Sequence, residues 1–135
     1  MEKQKLEISH VWVYSKDVPK SIAFYQNTIG LEIAGHFAHG ALFRAGTVLL
    51  GIHEEEGDRK SMPGGTLIVL RTENIHSRFE QLKEKGVKFL TDHIVSEDFG
   101  QVADFRDPDG YLLEIWQPPR KNVADAKVTL NHSSL

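Results

Sequence analysis

The sequence predicts an α+β fold of two β-α-β-β-β modules that form a curled mixed sheet with a concave cavity. Two observations support it: alternating apolar segments bounded by turn residues, and two helical segments that end at glycine. In addition, Phe24-x-Gln26 before Gly30 recurs as Phe79-x-Gln81 before Gly86. A repeat of this length indicates a duplicated supersecondary unit. We therefore predict one domain (1–120) with modules at 6–53 and 65–117, and a C-terminal tail or dimer arm at 121–135.

The composition narrows the class of protein. A chain of 135 residues with 40% hydrophobic and 26% charged residues is typical of one globular domain with a real core. The net charge of −3 gives no basic surface for nucleic acid, and no apolar run is long enough to span a membrane. The absence of cysteine excludes disulfides and thiolate sites, and the polar residues 1–5 lack the apolar core expected of a signal peptide. We predict a cytoplasmic protein.

The first module begins with a strand from Leu6 to Tyr14. Asp17 is a good N-cap for a helix that tolerates a proline in its first turn and ends at Gly30. If Val11 and Val13 meet this helix, alternation turns His10 and Trp12 towards the concave face. Three further strands are predicted at 31–37, 41–45 and 47–53.

The second module repeats this order. A strand runs from Thr66 to Arg71, and Asn74 or Thr72 caps a helix that ends at Gly86. We expect Leu67 and Val69 to meet this helix, which leaves Thr66 facing the cavity. Further strands are predicted at 87–91, 100–106 and 111–116.

The last two strands are joined by Asp107-Pro108-Asp109-Gly110, a turn in which proline presets φ and glycine supplies a positive φ. The apolar run that follows contains one carboxylate, Glu114. A buried carboxylate requires a cation, a hydrogen-bond donor or a metal as its partner. Alternation therefore predicts a cavity that contains the following residues: His10, Trp12, Thr66, Asp104, Glu114 and Trp116.

Three stretches resemble the vicinal-oxygen-chelate superfamily of glyoxalase I, bleomycin-resistance proteins and extradiol dioxygenases. They are His10-Val11-Trp12-Val13, the helix Ser21–Tyr25 that leads to Gly30-Leu31, and Phe105-Arg106-Asp107-Pro108-Asp109-Gly110-Tyr111-Leu112-Leu113-Glu114. The resemblance implies a divalent metal (Zn, Ni, Mn or Fe) held by His10 and Glu114. The two other ligand positions of the superfamily fall on Thr66 and Leu50, so the ligand set is incomplete unless His53, Asp104 or His132 completes it.

Two functions follow from the resemblance. One is a metal-dependent enzyme of the lyase, transferase or dioxygenase type that acts on a small molecule with vicinal oxygens, with Glu114 as a ligand or catalytic base. The alternative is a metal-free protein that binds a small molecule or antibiotic in a cavity between subunits. In both, we predict that Trp12, Thr66, Asp104 and Trp116 contact the substrate. Core packing explains the two tryptophans equally well, and a His10–Glu114 hydrogen bond is the alternative to a metal. The resemblance also implies a homodimer.

Overall fold

The computed structural model describes residues 5–119, which divide into two compact units at the bond between Met62 and Pro63. Each unit contains one four-stranded mixed sheet and few helices. The predicted α+β class and the duplication are thereby confirmed. The predicted C-terminal tail or dimer arm lies outside the described residues.

The first unit forms its sheet in the order β1-β4-β3-β2, with β1 parallel to β4 and the other pairs antiparallel. The Asp17 carboxylate caps the helix by accepting from the Lys20 N–H at 3.2 Å, and Gly30 ends it with φ of 90°, both as predicted. The elements are β1 (His10–Ser15), α1 (Val18–Ala23), a π-helical continuation (Phe24–Ile29), β2 (Glu32–Phe37), β3 (Gly40–Ala45) and β4 (Val48–Glu54).

The second unit repeats this topology in the order β5-β8-β7-β6, again with its first and last strands parallel. Asn74 caps its helix by accepting from the Ser77 N–H at 3.1 Å, and Gln117 Oε1 accepts from the Ile75 N–H at 2.7 Å. The elements are β5 (Leu67–Arg71), α2 (Ile75–Glu84), β6 (Val95–Glu97), β7 (Gly100–Arg106) and β8 (Leu112–Gln117).

The prediction of a strand at residues 87–91 was wrong. This segment is irregular, and β6 forms further along the chain. The Phe89 ring stacks on Phe79 of α2 at 4.3 Å, and the Leu90 N–H donates to the Asp104 carbonyl at 2.8 Å. The segment therefore crosses over the apolar side of the sheet, where aromatic packing replaces a ladder of backbone hydrogen bonds.

The predicted orientation of β5 was also wrong. Leu67 and Val69 are 46% and 47% exposed, and Val69 pairs with Glu114, so both lie on the face of Glu114 and not against α2. Thr66 precedes β5 and is exposed. Every residue from Leu67 to Leu70 is apolar, so hydrophobicity alone could not distinguish the two faces.

The β7–β8 turn is organised by the side chain of Asp107, which is only 5% exposed. Its Oδ1 accepts from the N–H groups of Asp109 and Tyr111, each at 2.9 Å, and its carbonyl accepts from the Gly110 N–H at 2.9 Å. Gly110 has φ of 94°, the positive value that the turn sequence predicted. This local network fixes the register in which Asp104 faces Glu114.

We predict that Asp107→Ala lowers the free energy of unfolding by roughly 3 kcal/mol, because a buried N–H group (Tyr111) and a part-buried one (Asp109) lose a charged acceptor. Urea denaturation measures the change. Asp107→Asn keeps an oxygen at this position and should cost less. Equal losses in the two variants would contradict the role given to Oδ1.

Candidate functional site

The face of the first sheet turned away from α1 carries a cluster of aromatic rings centred on Trp12. The indole makes edge contacts with His10, Phe37 and His53 at centroid distances of 5.1, 5.5 and 5.2 Å. Tyr14, on the same face of β1, contacts His53 at 5.5 Å. We call these five residues the aromatic cluster. His10 and Trp12 thus share a face, as the strand alternation predicted.

The indole of Trp12 lies over Gly51 of β4, its neighbour across the parallel strands. A Cβ atom at residue 51 would lie 2.3 Å from Trp12 Cε3 and 2.4 Å from Cζ3. Contacts this short do not occur between real atoms, so any side chain at residue 51 would displace the ring. The glycine is therefore what allows the indole to lie against the backbone of β4.

The register identifies which residue of the first unit corresponds to Glu114. Trp12 stands five residues before the N-cap Asp17, and Val69 stands five residues before the N-cap Asn74. Trp12 pairs with Gly51, whereas Val69 pairs with Glu114. Gly51 therefore occupies in the first unit the position that Glu114 occupies in the second.

This correspondence corrects two ligand positions inferred from the resemblance. The fourth-strand position is Gly51 and not Leu50, which is 6% exposed and lies on the opposite face with Ile52. By the same count from the caps, the residue that corresponds to His10 is Leu67 and not Thr66. Neither Gly51 nor Leu67 has a side chain that can bind a metal.

In the second unit, Asp104 of β7 and Glu114 of β8 face each other directly across the antiparallel pair. Asp104 Oδ1 is shielded from solvent and, when both groups are ionised, accepts no hydrogen bond from the described residues. Partial burial raises the pKa of Glu114 to about 7, helped by a hydrogen bond to Asp104 and by the charges of Asp104 and Glu97. A proton on Glu114 supplies the donor that Asp104 needs.

Trp116 lies next to this acid pair on β8, two residues from Glu114 on the same face. Its Nε1 donates to the Phe99 carbonyl at 2.8 Å, and the Arg71 guanidinium carbon lies 5.8 Å from the centre of its ring. These contacts give the indole a structural role. Its contact with substrate stays a prediction.

The residues present do not fit the divalent metal that the family implies. Within residues 5–119, no group of three or more His, Asp or Glu side chains is placed to hold a metal ion. Glu114 is engaged with another carboxyl group, and His10 is hydrogen-bonded through Nδ1 to Ser9 Oγ at 2.9 Å. Stable divalent sites use three or more protein ligands. His132, which could add a ligand, lies outside the described residues.

Sequence reasoning missed a second polar group, at the edge of the aromatic cluster. His39, in the β2–β3 turn, is paired through Nδ1 with the Glu54 carboxylate, and His53 Nδ1 is hydrogen-bonded to the Glu54 carbonyl at 2.7 Å. The hydrogen bond and charge of Glu54 raise the pKa of His39. The sequence shows these residues only as isolated histidines beside an acidic run.

A family profile described as the Glyoxalase/Bleomycin resistance protein/Dioxygenase superfamily matches residues 7–115. The chain belongs to this superfamily. The resemblance predicted from the sequence is thereby confirmed. Among its relatives is the uncharacterized protein YraH of Bacillus subtilis (strain 168), to which the chain is 29% identical over 126 residues. The alignment covers 83% of this chain and 98% of YraH.

Solved structures share the fold of this chain at lower identity. TnmS3, an antibiotic binding protein from Streptomyces sp. CB03234, has a TM-score of 0.73 at 22% identity, covering 87% of this chain and all of TnmS3. Lactoylglutathione lyase from Agrobacterium tumefaciens has a TM-score of 0.69 at 17% identity, covering 85% of this chain and 96% of the lyase. The neighbours of similar fold include an enzyme and a binding protein, and both functions predicted from the sequence are compatible with them.

No helix between residues 5 and 119 is long and apolar enough to cross a membrane. The cytoplasmic location and the absence of nucleic-acid partners stay predictions.

The acid pair predicts a pH dependence of stability. Because the folded state raises the pKa of Glu114 from 4.5 to about 7, the folded protein binds this proton more tightly than the unfolded chain. The contribution of this proton to the free energy of unfolding is therefore complete at pH values below the unfolded-state pKa of 4.5. It is lost as the pH rises through the folded-state pKa of about 7. Glu114→Gln, which resembles the protonated acid, should remove this dependence. Urea denaturation from about pH 4 to about pH 8 measures it.

The control is Glu80→Gln, which changes an exposed residue of α2. The difference in unfolding free energy between wild type and this control should stay constant across the range. If the difference in unfolding free energy between wild type and Glu114→Gln were also constant across this pH range, Glu114 would not bind a proton with a raised pKa in the folded state.

Proposed function

We propose that this chain is a small-molecule binding protein whose ligand packs on the aromatic cluster without a divalent metal at His10 and Glu114. The observation that supports this most directly is the indole of Trp12 over Gly51. The indole occupies the space that a metal-binding side chain at residue 51 would need, and it presents an apolar aromatic surface there instead. Of the two functions predicted from the sequence, this is the metal-free alternative.

The chemistry of the cluster indicates the class of ligand. Trp12, Phe37 and Tyr14 present aromatic rings on one face of a sheet, and Phe37 is 38% exposed. Aromatic side chains bind planar, apolar molecules by stacking and edge contacts. That TnmS3 is an antibiotic binding protein of similar fold is consistent with such a role. The metal-dependent enzyme and the catalytic role of Glu114 stay predictions.

We predict that the planar tricyclic dye proflavine binds in the presence of EDTA and that Trp12→Ala weakens binding roughly 2- to 12-fold. Loss of one aromatic contact is expected to cost about 0.5–1.5 kcal/mol. Fluorescence anisotropy of the dye measures the dissociation constant.

Val11→Ala is the matched control. Val11 immediately precedes Trp12 on the same strand, its side chain is 47% exposed, and it points to the other face of the sheet. Its dissociation constant should equal that of wild type. Equal binding by Trp12→Ala, or loss of binding on adding EDTA, would contradict the proposal.

We also propose that the chain forms a homodimer with ligand sites built from both subunits, which the resemblance implies. Size-exclusion chromatography with light scattering should give twice the chain mass of 15.3 kDa. A monomer across the micromolar range would overturn this proposal and leave the aromatic cluster as a site within one chain.

A further inference from the structure

His53 places a polar ring inside the aromatic cluster. It lies on β4, it is partly buried, and its ring is 5.2 Å from the Trp12 indole. Strand β3 passes close by, because a Cβ at Gly40, the partner of His53 on β3, would overlap the Ile52 carbonyl. The His39 ring, from the β2–β3 turn, stacks on His53 at 15° with centroids 5.7 Å apart. The imidazole of His53 is therefore packed between the cluster and the hairpin.

A backbone contact fixes the tautomer of this imidazole. His53 Nδ1 lies 2.7 Å from the Glu54 carbonyl oxygen. A carbonyl oxygen only accepts hydrogen bonds, so Nδ1 carries the proton and donates it. A neutral imidazole has one ring proton, so Nε2 of His53 is left as a hydrogen-bond acceptor.

This acceptor is open to a bound molecule. Within residues 5–119, His53 Nε2 makes no hydrogen bond. The polar side-chain atoms of that part of the chain that lack a hydrogen bond and are also shielded from solvent belong to Ser21, Ser61 and Asp104. His53 is not among them, so solvent or a ligand reaches its Nε2.

The other polar rings of the aromatic cluster do not present an acceptor of fixed direction. His10 Nδ1 is bonded to the Ser9 hydroxyl, which can donate or accept, so that contact leaves the tautomer of His10 open. The Tyr14 hydroxyl can also donate or accept, and the Trp12 indole has a donor only. His53 is therefore the residue of the cluster that selects for one kind of polar group.

We propose that His53 Nε2 accepts a hydrogen bond from the ligand, and that the ligand is a planar aromatic molecule with a hydroxyl or N–H group on its edge. The proposal rests on the small-molecule binding function proposed above. The imidazole and the indole are nearly perpendicular, at 88°, and their centres are 5.2 Å apart, so a molecule that packs on Trp12 is within reach of His53.

The hydrogen bond gives the site a preference among aromatic molecules of the same shape. A ligand with a donor on its edge satisfies His53 Nε2, whereas an ether or a ketone at the same place offers only lone pairs and leaves the nitrogen without a partner. The expected preference is roughly 2- to 12-fold in the dissociation constant, the range typical of one hydrogen bond between neutral groups.

The test compares umbelliferone, a planar hydroxycoumarin, with its methyl ether, which has the same rings but no donor. Each compound displaces proflavine in EDTA at about pH 7, where most free imidazole is neutral, and the anisotropy of the dye follows the displacement. Umbelliferone should bind wild type roughly 2- to 12-fold more tightly than the ether. His53→Phe keeps a ring but removes the acceptor, so the two compounds should bind this variant equally.

His10→Phe and Tyr14→Phe are the matched controls. Each removes a polar atom of the aromatic cluster and keeps an aromatic ring. Both variants should keep the preference for umbelliferone. The preference is a ratio of two dissociation constants measured on one protein, so a change in the affinity for proflavine cancels. Loss of the preference in either control but not in His53→Phe would overturn the assignment to His53.

A second measurement uses wild type and does not depend on the folding of a variant. Nuclear magnetic resonance of protein with isotope-labelled histidine distinguishes a ring nitrogen that carries a proton from one that does not. We expect His53 Nε2 to lack the proton, and its resonance to shift on adding umbelliferone but not on adding the ether. A proton on Nε2 of the neutral ring would overturn the proposal.

The outcomes separate this proposal from the binding function on which it rests. Equal binding of the two compounds by wild type, or a preference that persists in His53→Phe, would overturn the role of His53. Both results would leave the function intact as long as Trp12→Ala still weakens proflavine binding. Equal proflavine binding by Trp12→Ala and wild type would instead overturn the function itself, and this proposal with it.

Discussion

The register between the first and last strand of each unit is the constraint on which both the aromatic cluster and the Asp104–Glu114 acid pair depend. Side chains alternate along a strand, so a slip of one residue would exchange every side chain between the two faces. The observed register pairs Trp12 with Gly51 and Val69 with Glu114. In the second unit, the buried carboxylate of Asp107 secures the adjoining turn and with it the pairing of β7 with β8.

Duplication gave the two units the same topology but different chemistry at one position. In the first unit this position is Gly51, and the volume above it is filled by an indole. In the second it is Glu114, which faces another carboxyl group. A side chain at residue 51 and the observed position of Trp12 exclude each other sterically, so this position can carry either a metal-binding side chain or the indole surface, but not both.

Local chemistry made much of the fold predictable. Asp17, Asn74, Gly30 and the Asp107–Gly110 turn act within a few residues, and each was found where the sequence placed it. The orientation of β5 was not predictable from hydrophobicity, because both of its faces are apolar. Counting from the N-caps would have given it, since equal distances from Asp17 and Asn74 identify equivalent residues. The meeting of His39 with His53 depends on a close approach of two strands, which no local pattern encodes.

The Asp104–Glu114 acid pair of the second unit favours binding of a proton or another positively charged group between the two carboxyl groups. Two facing carboxylates repel each other in a partly buried site, where the field is less screened than in water. A proton shared with Asp104 relieves this repulsion, which adds to the effect of partial burial in raising the pKa of Glu114. A cationic group of a ligand would relieve it in the same way, but it would have to displace that proton. Any cation that binds there therefore competes with hydrogen ions near neutral pH, whereas apolar contacts at Trp12 carry no such cost.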